Sequence, residues 1–202
     1  MSLDAPIFTL THAMGFKGVL GGEYNFNRTE ASIWKRFWLP ASWGKIDCSV
    51  KAGAEWNVVP FPLLILPEAN LSYITQRETF SLINNMEFLN DRFASMSISY
   101  DMNGKLFNRI PLLKNLKWRE MFRVRALWGT LTDKNNPFKS SNPDLFRFPT
   151  RDGKFTSFVM DPKVPYVEAS VGIYNIFKLL HVEYVHPVSY THLRAHETCA
   201  DL

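Results

Sequence analysis

The chain lacks any continuous apolar run of the roughly 18 residues that a membrane helix needs. Its most apolar stretch, VVPFPLLILP from Val58 to Pro67, is interrupted by three prolines, which remove helix donors. Helical membrane spans are therefore rejected. Cysteine is also scarce. Cys48 and Cys199 lie far apart, with no CxxC or metal-ligand spacing, so they are assigned no redox or zinc role. Charge of one sign is not concentrated: the net charge is +4, with Lys and Arg scattered rather than gathered in a tail or on a helix face. A nucleic-acid partner is not expected. A leader is missing too, since SLDAPIFTL after Met1 has neither a basic segment nor a long apolar one. An exported protein needs such a leader, so the expectation is either a cytosolic protein or an internal piece of a longer one.

What the chain does have is alternation. Apolar residues make up 46%, charged residues 21% and aromatics 14%, which suits a folded domain and is aromatic-rich for a water-soluble one. Between Trp118 and Trp128 the sequence WREMFRVRALW puts Trp118, Phe122, Val124, Ala126 and Trp128 on one parity and Arg119, Arg123 and Arg125 on the other. As a strand it has one oily and one cationic side. The two tryptophans span about 34 Å of extended chain, or about 25 Å at a tilt of about 40–45°, close to the apolar band of an outer-membrane barrel. A half-buried strand of a soluble sandwich has the same alternation, without a reason for that spacing.

Other segments repeat the pattern. Ala94, Met96, Ile98, Tyr100 and Met102 alternate with Ser95, Ser97, Ser99 and Asp101, and Ile46, Cys48, Val50, Ala52 and Ala54 with Lys45, Asp47, Ser49, Lys51 and Glu55. Further strands are read at Ile7 to His12, Tyr24 to Leu39, Tyr166 to Gly172 and Leu179 to Val185, about seven in all. A helix is expected in RETFSLINNMEFLNDRF, and Thr132 to Val164 reads as a long polar loop. Connections after Trp56 and Trp128 are long, and those at Pro40 and Asn175 are short. Membrane barrels share this asymmetry of long outer loops and short periplasmic turns. The expected fold class is all-β: a partial, open, truncated antiparallel transmembrane β-barrel of about seven strands with long outer loops.

The end of the chain reads differently. VSYTHLRAHET, from Val188 to Thr198, resembles a transposase sequencing adapter translated in frame. The alternative is a genuine His-rich terminus with His192 and His196 as a helical metal pair. Residues 1–186 are taken as the barrel fragment and 187–202 as a non-native tail without structure. Cys199, His192, His196 and Arg194 are set aside with it.

Several long phrases carry a resemblance: KRFWLPASWGKIDCSVKAGAEWNVVPFPLLILPEANLSY, NNMEFLNDRFASMSISYDMNGKLFNRIPLLKNLKWRE, LTDKNNP and PYVEASVGIYNIFKLLHVEYV. Together they resemble the C-terminal barrel region of large Bacteroidota outer-membrane proteins that contain a carboxypeptidase-regulatory-like domain. The resemblance covers nearly everything from Ala5 to Val185. It implies a longer protein with a signal peptide, a small regulatory-like β-sandwich, further β-rich sequence and this barrel at the end. It implies no catalytic, cofactor or metal residues, because the family's function is undefined.

The residues themselves give no catalytic motif. His12, His181 and His186 are candidate bases without a GxSxG or HExxH around them. Arg119, Arg123 and Arg125, with Lys45, Asp47, Lys51, Asp101, Glu168, His181 and Glu183, are expected to face an enclosed interior. Mixed signs there favour a packed polar filling over a selective pore. Val58 to Leu71 is too apolar for a free loop and is expected to fold inward or cap the mouth. Trp34, Trp38, Trp43, Trp56, Trp118 and Trp128 are read as interface anchors, with core packing as the alternative. No catalytic, cofactor-binding or metal residues are assigned. The expected role is a non-enzymatic anchor, channel or assembly platform in the outer membrane, with the bilayer and upstream domains as partners. A soluble sandwich or lipocalin-like binder and an outer-membrane hydrolase are the alternatives.

Overall fold

Strand-forming alternation governs the seven long strands, and the computed structural model joins them into one sheet. Residues 5–71, 76, 78–139, 145–146, 148, 150–151 and 153–189 are described. The strands are β1 (Ile7–Gly15), β2 (Phe26–Trp38), β3 (Lys45–Glu55), β4 (Arg92–Asp101), β5 (Arg119–Thr130), β6 (Thr150–Arg151), β7 (Lys154–Phe155), β8 (Tyr166–Ile176) and β9 (Leu180–Pro187). Seven of them form an antiparallel sheet in the order β1-β2-β3-β4-β5-β8-β9, while β6 and β7 make a small separate hairpin. The single α-helix among the described residues, α1 (Pro111–Leu116), starts on a proline and ends at Lys117 in the left-handed region. The molecule is all-β, with one open sheet.

Register carries the alternation across the sheet. Ile33 lies opposite Val50, Val50 opposite Met96 and Met96 opposite Ala126, so one face is a continuous apolar surface. On the other face Arg36, Asp47, Ser99, Arg123 and Ser170 follow one another across five strands. A one-residue slip anywhere would exchange the two faces. The apolar face is the exposed one: Ile98, Phe122, Val124, Trp128, Val171 and Tyr184 all lie open, while Arg123, Arg125 and Glu168 are buried.

The hydrophobic core lies away from that apolar face. At the long-loop end, Val59, Leu64 and Leu89 pack with Leu131 and Phe148. Phe80, Ile83, Phe88 and Met160 pack on Leu127 and Tyr166. Leu127 and Tyr166 are opposite each other on the same face as Arg125 and Glu168. The loop from Val58 therefore folds inward onto the polar side of the sheet.

Several expectations need correction. The helix expected over RETFSLINNMEFLNDRF does not form: apart from Arg77, which lies outside the described residues, the segment runs through bends and turns before entering β4 at Arg92. It is tied instead to a distant loop, with Leu89 N donating to Phe158 O (3.1 Å) and Phe158 N to Glu87 O (2.7 Å). Trp118 precedes β5 and stacks edgewise on Phe107, so it does not mark one border of the apolar band. Trp34 lines the polar interior rather than an outer rim. Beyond residue 186, Pro187 pairs with Glu168 in β9, and the Ser189 hydroxyl bonds Pro165 O and Val167 N, 2.7 Å each. The rest of the proposed tail, 190–202, lies outside the described residues.

Candidate functional site

The polar face of the sheet gathers charged strand residues around one cavity. Its residues share one parity on each strand: Ser32, Trp34 and Arg36 on β2, Lys45, Asp47, Ser49 and Lys51 on β3, Ser95, Ser97, Ser99 and Asp101 on β4. Met121, Arg123 and Arg125 follow on β5, then Tyr174, His181 and Glu183 from the last hairpin. They surround a cavity of about 590 Å³. Strands β2 and β9 are five steps apart, about 24 Å in a flat sheet. One cavity lined from both β2 and β9 fits a curled sheet, with the polar face concave and the apolar face convex.

Charges within the concavity are paired in opposite sign. Arg123 Nη1 lies 3.0 Å from Glu183 Oε1, and Arg125 Nη1 lies 2.8 Å from Glu168 Oε1, with all four side chains nearly inaccessible. Glu168 further accepts the backbone N–H groups of Ser81 (3.1 Å) and Leu82 (3.3 Å) and the Tyr166 hydroxyl (3.2 Å). The strand pair β5–β8 is thus pinned to the long loop above it. Arg36 and Asp47 form a two-point pair at 2.6 and 3.0 Å. Lys51 bridges Glu30 at 3.6 Å and also contacts Glu68 of the folded-in loop. Tyr174 donates to Asp101 at 2.5 Å. Buried ion pairs hold position and orientation; they leave little uncompensated field for an anion.

A second polar cluster closes the long-loop end. Asp91 is fully buried and accepts Thr132 N (3.1 Å) and Asn135 Nδ2 (3.0 Å) as well as the Thr132 hydroxyl. Asn135 in turn accepts Val59 N at 2.9 Å and donates to Asn57 O at 3.2 Å. Glu55 accepts Asn27 N at 2.9 Å and Asn57 N at 3.2 Å. These groups join the start of β2 to the β3–β4 and β5–β8 connections. Sequence reading missed Asp91 and Asn135. The one available signal was that both fall within the unusual phrases NNMEFLNDRF and LTDKNNP.

The histidines among the described residues do not assemble. His12 shares the convex parity with Leu10 and bonds Thr29 Oγ1 at 2.9 Å. His186 is opposite Ala169, also on the convex side. Of the described histidines, His181 alone faces the concavity, stacked on Tyr174 with Nε2 3.4 Å from Glu183. Cys48 is a free thiol on the convex face opposite Ile98. Among the described residues, no group of three His, Cys, Asp or Glu is placed to hold a metal ion.

The geometry is that of an open antiparallel sheet with ion pairs along its polar face. In comparisons with known proteins, no curated protein and no solved structure matches the chain. A family model does match, over residues 1–139, and more than half of the chain is thereby covered. The chain belongs to the family of unknown function (DUF5686), as its C-terminal domain.

Proposed function

We propose that this chain is part of the wall of an outer-membrane β-barrel, and that it acts without catalysis as a membrane anchor and assembly platform for further domains of a longer protein. The observation carrying this reading is inverted polarity. Ile98, Val124 and Trp128 are exposed on the convex side while Arg123, Arg125, Glu168 and Glu183 are buried on the concave side. In water that arrangement is unfavourable on both faces, since apolar area stays wet and charges are desolvated. In a bilayer the apolar face meets lipid.

Dimensions agree. The convex residues of β3 run from Ile46 to Ala54, about 27 Å of extended strand, which a 35–45° tilt reduces to roughly 20 Å, near the ~25 Å apolar band of such barrels. Among the described residues the outer edges of β1 and β9 have no partner strand in the sheet, and a membrane wall closes by adding strands along them. The resemblance to the barrel region of Bacteroidota proteins with a carboxypeptidase-regulatory-like domain supports the same placement. The ion-paired lining favours a filled interior over an anion-selective channel, and the separation of His12 and His186 from His181 gives a hydrolase no support.

The test is refolding of the chain from denaturant into phosphatidylcholine vesicles with brominated acyl chains. Trp128 lies on the convex face, so tryptophan emission should be strongly quenched. A monodisperse monomer in plain buffer, unaffected by the vesicles, would overturn the proposal.

A further inference from the structure

The connection between β4 and β5 is cationic and oily at once. From Met102 to Trp118 it contains Lys105, Arg109, Lys114 and Lys117 and no carboxylate. Leu112 is 82% exposed, and Leu106, Ile110 and Leu116 are exposed too. Arg109, Lys114 and Lys117 are exposed, and no ion pair is formed by them among the described residues.

Its position is fixed. Met102 and Glu120 share the convex parity with Tyr100 and Phe122, yet both are buried, because residues 103–110 fold over them. Phe107 N donates to Glu120 Oε1 at 2.5 Å, and the Phe107 ring meets Trp118. The segment therefore lies on the convex side of the sheet at its short-turn end, directly below the exposed apolar face. Lys105 Nζ bonds Ala41 O at 2.8 Å, and Asn175 Nδ2 bonds Lys117 O at 2.7 Å. These bonds join it to the β2–β3 turn and to the end of β8, next to the β8–β9 turn. One of those turns adds Lys178 between Phe177 (73% exposed) and Leu179 (88% exposed). The nearby acids are turned away: Glu120 is buried, and Asp101 and Asp47 face the concavity.

We infer that this short-turn rim, formed by residues 105–117 and 177–179, is a docking surface for the anionic headgroups of the adjoining lipid leaflet. The inference rests on the barrel reading. Apolar side chains interleaved with cations, continuous with a convex apolar face, match the acyl–headgroup boundary: leucines enter the boundary while lysines meet lipid phosphates. A protein partner with an acidic face would also match the charge, but would give no reason for isolated leucines this exposed beside the apolar wall.

The experiment compares binding of the refolded full chain to phosphatidylcholine vesicles and to vesicles containing phosphatidylglycerol. The same measurement is made on the variant Arg109→Gln/Lys114→Gln/Lys117→Gln/Lys178→Gln. The anionic lipid should raise wild-type affinity by roughly tenfold or more at low salt, the gain should vanish in high salt, and the variant should lose it while still inserting into neutral vesicles. Equal wild-type affinity for both vesicles, or an undiminished preference in the variant, overturns the inference and leaves an acidic protein face as the occupant. Failure in neutral vesicles together with salt-sensitive binding to anionic ones would sustain the rim and sink the barrel reading. Failure in both would sink the two together.

Discussion

Arg125 and Glu168 face each other across β5 and β8, 2.8 Å apart and each 2% exposed. Neither charge has water as an alternative partner, so removing one strands the other. Glu168→Ala should lower stability by about 3–5 kcal/mol, whereas the double variant Arg125→Leu/Glu168→Leu should recover much of that loss. Urea unfolding in detergent micelles measures both. A double variant no more stable than the single one would show that the carboxylate's bonds to Ser81, Leu82 and Tyr166 outweigh the ion pair.

Ile98 and Val124 are directly opposed on the convex face. If that face meets acyl chains, Val124→Arg should destabilise the protein in lipid vesicles by about 2–4 kcal/mol. If it meets water, the change should stay within about 0.5 kcal/mol, as for an ordinary surface position. Ser97→Ala, on the opposite face of β4, serves as a control that should be nearly silent in either case.

Alternation alone made β3, β4 and β5 legible, because each residue on those strands has a fixed side and the register preserves it. The pairing of Arg123 and Arg125 with acids followed from mixed signs on one parity, although their partners on β8 and β9 could not be identified from spacing. Loops were less legible. Phe80, Ile83, Phe88 and Leu89 look locally like a helical face, yet each is buried by residues far along the chain, including Met160, Tyr166 and Leu131. Trp34 and Trp118 show a related failure: tryptophan is equally suited to an interface and to a cation-lined interior. Trp34 takes the second role, with the Arg36 guanidinium 5.2 Å from its ring.

Asp91 joins two long connections through Thr132 and Asn135. Asp91→Ala should release these connections without dissolving the sheet, because the strand registers do not run through the carboxylate. Losing hydrogen bonds to a charged acceptor is worth about 1.5–3 kcal/mol. Limited proteolysis in detergent should then cut within residues 56–66 and 131–139 much faster than in the wild type, while circular dichroism retains the β signal. Unchanged cleavage would mean that the two apolar clusters alone hold the loops.

Gly44 ends the tight turn between β2 and β3 at φ +91, and a Cβ built there would stand 1.8 Å from Asp101 O. Two penalties coincide: the left-handed backbone costs an alanine about 1 kcal/mol or more, and the obstructing atom is backbone on β4, which cannot swing aside as a side chain would. The turn must open or β4 must shift, and either loosens the Lys45–Asp101 register where the short-turn end begins. Gly44→Ala should therefore lose at least about 2 kcal/mol in detergent unfolding. Gly18→Ala, at φ +85 with nothing near its Cβ, should lose only the conformational part. Equal losses for the two variants would show that the turn yields easily and that contact between the turn and β4 does not set the register.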